Sequence, residues 1–259
     1  MSENSAVSPA VTYEVRNGVA HLRLNRPASA NAIDPTLAAA LLAAAQRAGA
    51  DPEARAVLVT GSGARFCAGG DVASFAEADD KPAFLHQLAL DADAAIRALA
   101  DLEKPVVASV HGAVAGAGLA LMLSADVVVA ARSTKFVFAY PGIGLTPDCG
   151  VSYLLPRAVG QQRALGFALS NRPITAATAQ DWGMVTEVEH DVDSAQSRGW
   201  QVALGFAAGP AHALGQARRL LRQGWELDRV STGVEEARTI SEAVAGDEAV
   251  RLIEKFVNR

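Results

Sequence analysis

Two runs of small residues carry the most suggestive chemistry in the sequence. The first, Arg65-Phe66-Cys67-Ala68-Gly69-Gly70-Asp71, follows a short apolar segment at Ala56–Thr60. The second, His111-Gly112-Ala113-Val114-Ala115-Gly116-Ala117-Gly118, follows another at Val106–Val110. Glycine and alanine at such places let a backbone approach a ligand closely. The second run also opens an alanine- and leucine-rich helical segment, Ala117–Ser124, and the unpaired N–H groups and dipole of a helix start favour developing negative charge. Two such turns facing one another would form an oxyanion hole; tight packing of the turns is the competing reading. Cys67 and Cys149 lie close to these regions, but no paired base accompanies either, so they read as small buried thiols. His21, His86, His190 and His212 are scattered without metal-ligand spacing, and no metal site is expected.

The elements that must position these turns follow from patterning. Val11–Arg16 and Val19–Asn25 alternate in polarity around Asn17-Gly18, a pair suited to the positive φ angles of a tight hairpin. Asp34 and Pro35 suit the N-cap and first turn of a helix running to Ala48. Ala56–Thr60 and Val106–Val110 are buried strands, and Phe84–Leu102 has helical spacing between them. Val127–Ala131 and Phe136–Phe138 are further short strands. Beyond about Gly160 helices dominate, interrupted at Val185–Val188 and by turn signals at Arg172-Pro173 and Gly209-Pro210. The alternation implies a layered α/β core followed by a helical region.

Whole-chain properties narrow the function classes. Of 259 residues, 50% are hydrophobic and 20% charged, which suits one sizeable globular domain or one domain with a small appendage. A formal net charge of -5 argues against a general electrostatic grip on nucleic acid or an anionic membrane. Two cysteines in a chain of this length form no disulfide scaffold, so a reducing cytoplasm is the expected compartment. Met1–Ala10 is polar and carries no basic residue ahead of an apolar run, so it reads as a loose tail rather than a secretory signal. The uncharged stretch Pro105–Ala125 approaches the length of a bilayer span, but His111, the serines and the glycines divide it into a buried strand and a short helix.

In order along the chain, these features resemble the enoyl-CoA hydratase/isomerase (crotonase) superfamily. The resemblance runs through Asn25-Arg26-Pro27 with Asn31-Ala32, Phe66 to Asp71, Lys104-Pro105-Val106 leading to Gly112–Gly118, Ala125-Asp126, Ile143-Gly144-Leu145-Thr146-Pro147-Asp148 and Leu155-Pro156-Arg157. It implies an α/β, crotonase-like spiral of repeated β-β-α units at residues 11–195, after a tail at 1–10. A helical C-terminal region at 196–259 would serve assembly and pocket closure. It further implies a homotrimer or dimer of trimers, an acyl-CoA thioester as substrate and no tightly bound cofactor. Position by position, the backbone N–H groups of Gly70 and Ala117 match the donors to the thioester oxygen. Ala28, Ala30 and Ala68 match the places that receive the adenine end of coenzyme A. Asp71, Val72, Gly116 and Tyr140 are further substrate-binding candidates, and Lys255 is a candidate phosphate contact whose competing reading is a solvated surface lysine.

Hydratases of the family use two glutamates, and the matching positions here hold Ala120 and Tyr140. Activating a water without those carboxylates is difficult. The remaining acid, Asp148, resembles the catalytic acid of several family isomerases and of the 4-chlorobenzoyl-CoA dehalogenases; otherwise it is a turn residue after Pro147. The dehalogenases carry a histidine where this chain has Asp93 and an indole where it has Tyr140. His111 reads as a structural hydrogen-bonding residue at a strand end. The sequence thus points to enoyl-CoA isomerase-type proton transfer through Asp148, with a hydratase, an acyl-CoA hydrolase or a non-catalytic acyl-CoA binding protein as alternatives. The pocket wall is expected from the segment between Val72 and Gln87 and from the later helices.

Overall fold

The computed structural model describes residues 8–258, so most of the tail expected at 1–10 lies outside the described residues. β1 (Val11–Arg16) and β2 (Val19–Leu24) form the opening antiparallel hairpin. Asn17 and Gly18 take φ values of 53° and 78°, the positive pair that a two-residue turn requires. α1 (Pro35–Ala50) begins where the Asp34 carboxylate accepts the Leu37 N–H. The chain continues through β3 (Ala56–Gly61), α2 (Val72–Ala76), α3 (Lys81–Ala100), β4 (Val106–Val110), β5 (Ala113–Ala115) and α4 (Ala117–Leu123). Next come β6 (Val127–Ala131), β7 (Lys135–Val137), α5 (Val151–Val159), α6 (Gln161–Ser170), β8 (Ile174–Thr175), α7 (Ala176–Asp181) and β9 (Glu187–Glu189). The last four helices are α8 (Val192–Ala207), α9 (Ala211–Gln223), α10 (Arg229–Val244) and α11 (Asp247–Val257).

Six strands form the larger sheet in the order β1-β2-β3-β4-β6-β9, parallel at every pairing after the hairpin. All six residues of β3 are buried because both faces of the sheet are covered. Val57 and Val59 point into the main core with Leu22, Leu24 and the inward faces of α1 and α3. Ala56 and Leu58 point the other way, onto Ala203 and Ala207 of α8. That alternation is the period-two consequence of a strand between two helical layers. α8 runs unbroken across residue 196, so the start expected for the C-terminal region falls inside a helix that packs on the sheet.

A smaller sheet, β5-β7-β8, lies against the first. Consecutive strands are split between the two layers: β4 and β6 join the large sheet, while β5 and β7 join the small one before the chain enters α4 and α5. Bridges Cys67↔Val114 and Ile33↔Gly70 extend the same layer toward α1. This is the expected spiral of β-β-α units. The second small-residue run is not turn throughout, because Ala113–Ala115 pair in parallel with Lys135–Val137. No helix is long and apolar enough to cross a membrane among the described residues.

Candidate active site

The spiral brings the two small-residue runs face to face. Ala115 N–H donates to the Cys67 carbonyl at 3.0 Å, and Cys67 N–H donates to the Ala113 carbonyl at 3.4 Å. Gly69 takes φ 97°, and a Cβ built on it would stand 2.9 Å from the Ala115 carbonyl oxygen and 3.4 Å from Gly116 Cα. Here glycine is required twice over, by its backbone angle and by the closeness of the facing chain.

The same bonding leaves two N–H groups free. Ile33 N–H donates to the Gly69 carbonyl at 2.7 Å, and the Ile33 carbonyl accepts Asp71 N–H at 2.9 Å. Gly70, between those two bonds, therefore turns its own N–H away from Ile33. Ala117 is the first residue of α4, so its N–H has no intrahelical acceptor. Among the described residues neither N–H meets an acceptor.

Gly70 and Ala117 border one cavity of about 520 Å³, together with Ala68, Val72, Gly116, Tyr140 and Asp148. Its far wall is apolar, built by Phe75 from α2 and by Leu85, Leu88 and Ala92 from α3, with Ile143 and Leu145 opposite. Val72, Phe75, Pro82, Leu85 and His86 line it from the segment expected between Val72 and Gln87, whereas the later helices, α5 to α11, supply none of the lining among the described residues. Asp148 is half-buried and is the only carboxylate that borders the cavity among the described residues. The Tyr140 hydroxyl donates to Asp148 Oδ1 at 2.7 Å. Burial, reinforced by the Asp148 charge, pushes the Tyr140 phenol well above its usual range, so it stays protonated. Burial likewise raises the Cys149 thiol, with Asp148 adding to the effect, and pushes Cys67 up to about 11. Neither thiol is a ready nucleophile.

Four candidates are not brought to the cavity. Ala28 is exposed on a 3-10 turn, Pro27–Ser29, and the Ala30 carbonyl is occupied by the Ala68 N–H at 3.1 Å. Asp71 is committed to an ion pair with Arg26 at 3.1 Å, and Lys255 is exposed on α11. Each stands outside the cavity wall. Ala120, at the first glutamate position of the hydratases, is fully buried within α4 and offers no acceptor. Asp93 also lies off the cavity, held by Arg97 at 2.7 Å. His111 Nε2–H donates to the Gly63 carbonyl at 2.9 Å, a structural bond. No cluster of three metal-ligating side chains occurs among the described residues.

Sequence reasoning passed over two residues that organise the site. Asn31 is fully buried; its amide donates to the Ser62 and Arg65 carbonyls, each at 2.8 Å, and its side-chain oxygen accepts Arg26 N–H. Arg26 reaches both Asp34 and Asp71. The only signal for them was their place in the Asn25-Arg26-Pro27 and Asn31-Ala32 motif, which states no role.

Comparison with known proteins identifies the family. The 1,2-epoxyphenylacetyl-CoA isomerase of Escherichia coli strain K12 is 38% identical over 216 residues, covering 82% of this chain and 81% of that protein. The 4-chlorobenzoyl coenzyme A dehalogenase-2 of an Arthrobacter species is 34% identical over 226 residues, 86% of this chain and 81% of that one. The crystal structure of an enoyl-CoA hydratase/isomerase from Cupriavidus metallidurans CH34 superposes with a TM-score of 0.88 at 32% identity, covering 96% of this chain and 93% of that one. The profile of the enoyl-CoA hydratase/isomerase family matches residues 14–258. With its spiral fold, facing turns and acid-bearing cavity, the chain belongs to the enoyl-CoA hydratase/isomerase family.

Proposed function

We propose that this protein is an acyl-CoA isomerase that moves a proton between two carbons of its substrate through an enolate. The observation that carries the reading is that two acceptor-free backbone N–H groups and a single carboxylate border one cavity. The N–H groups of Gly70 and Ala117 receive the thioester oxygen and stabilise the charge that builds on it, a contribution of about 10²- to 10³-fold per donor. Asp148 takes the proton from one carbon and returns it to another, as general base and then general acid, for roughly 10²- to 10⁴-fold. A double-bond shift and a related ring isomerisation both fit this scheme, and the relative named as an isomerase supports the class.

Addition of water is the weaker reading. A hydratase needs carboxylates to hold and activate water, and the cavity offers one, since Ala120 and Tyr140 stand where the family's two glutamates belong. The adenine end of coenzyme A is assigned to the turn around Ala28, Ala30 and Ala68, because the Ala30–Ala68 backbone bond ties that turn to the cavity's edge.

Incubation with 2-enoyl-, 3-enoyl- and saturated acyl-CoA panels, read by mass spectrometry and by ultraviolet absorbance of the conjugated thioester, tests the proposal. Products of unchanged mass with a displaced double bond are expected. Gain of 18 mass units would replace isomerisation with hydration, and release of free coenzyme A would replace it with hydrolysis.

A further inference from the structure

We propose that Tyr140 is a positioning residue for Asp148: its buried hydroxyl donates to Oδ1 and holds the carboxylate at the cavity wall. The inference rests on the isomerase reading for its catalytic consequence, but the contact itself is a property of the folded chain.

The geometry is restrictive at both ends. Tyr140 is 8% exposed, and its ring packs edge-on to Phe138 with centroids 5.1 Å apart. Its carbonyl accepts Leu145 N–H at 3.0 Å, and the preceding Ala139 N–H donates to the Asn171 side chain at 3.1 Å. Asp148 is fixed from the other side, where its carbonyl accepts Val151 N–H at 3.1 Å. The phenol–carboxylate bond, 2.7 Å long, therefore closes the loop from residue 140 to residue 148 across the cavity wall. An O–H donor to a carboxylate is a charge-assisted bond, stronger than a neutral one.

No arginine or lysine pairs with Asp148 among the described residues. The other titratable groups around it are the Cys149 thiol, Asp93 of α3 with its own partner Arg97, and exposed His86 of α3 at the cavity. With no cation beside it, the half-buried carboxylate takes its charge-assisted hydrogen bond from Tyr140. Because its phenol stays protonated, the residue remains a donor and does not compete for the substrate proton.

Carboxyl-¹³C aspartate labelling of the full-length protein, with Asp148→Asn to assign the signal, reads the Asp148 titration directly. In Tyr140→Phe, which keeps the ring, the midpoint is expected to rise by about one to two pH units, the equivalent of one charged hydrogen bond. The acidic limb of kcat/KM should move up by the same amount while KM for the thioester holds. An unmoved midpoint would reduce Tyr140 to a piece of wall and overturn the proposal. Biosynthetic 3,5-difluorotyrosine, a more acidic donor, should shift the midpoint down in the wild-type fold; no shift there overturns the proposal even if the phenylalanine variant fails to fold. A wild type that turns over no thioester would sink the isomerase reading alone, since the titration still decides the role of Tyr140.

Discussion

Arg26 joins Asp71 to Asp34. One guanidinium nitrogen lies 3.1 Å from the Asp71 carboxylate and the other 3.0 Å from Asp34, the N-cap of α1. Asp71 follows Gly70 directly, so one half-buried arginine ties the first small-residue turn to the start of a core helix. Arg26→Met leaves two partly buried carboxylates without their cation. It should cost about 2 to 4 kcal/mol of stability and lower the melting temperature by several degrees. Differential scanning calorimetry checks this, and an unchanged melting temperature would remove Arg26 from the support of the turn.

Asp148→Asn keeps the shape of the side chain and removes its basicity. Turnover should fall by about 10²- to 10⁴-fold while acyl-CoA still binds. Steady-state kinetics beside isothermal titration with a saturated acyl-CoA separates the two effects; isomerisation at wild-type rate in this variant would end the role proposed for the acid.

Both cysteines should resist alkylation at neutral pH. Cys67 is fully buried with its thiol near 11, which leaves a thiolate fraction on the order of 10⁻⁴ at pH 7. Cys149 is pushed up further by burial and by Asp148. Mass spectrometry after iodoacetamide treatment should show no adduct on the native protein and two on the denatured one.

The last two helices present Val230, Val234, Ile240, Phe256 and Val257 to solvent, each at least two-thirds exposed. So much apolar surface on adjoining helices supports the expected assembly into trimers or paired trimers. Light scattering coupled to size exclusion should return three or six chains, and Phe256→Asp should shift the distribution toward monomer. A wild-type monomer at micromolar concentration would refute it.

Much of the scaffold was legible because its causes are local. Asn17-Gly18 suits positive φ, Asp34-Pro35 starts a helix, and the apolar β-branched run Val106–Val110 suits a strand buried on both faces. The strand at Ala113–Ala115 was not legible, since its three small residues pair with a segment twenty-two positions later in register. The ion pair of Asp71 with Arg26, forty-five residues earlier, was not legible either, because only the fold brings the two side chains together.

Sequence by itself determined the family's order of motifs, the missing glutamates at 120 and 140, and an acid at 148. The tertiary structure decided which N–H groups stay free, because Ile33 uses the bonds on either side of Gly70 and leaves its amide to the cavity. It also decided that the Tyr140 hydroxyl meets Asp148 Oδ1. Hydrogen-bond direction and burial are properties of chain segments that meet only on folding, so no local pattern of residue types contains them.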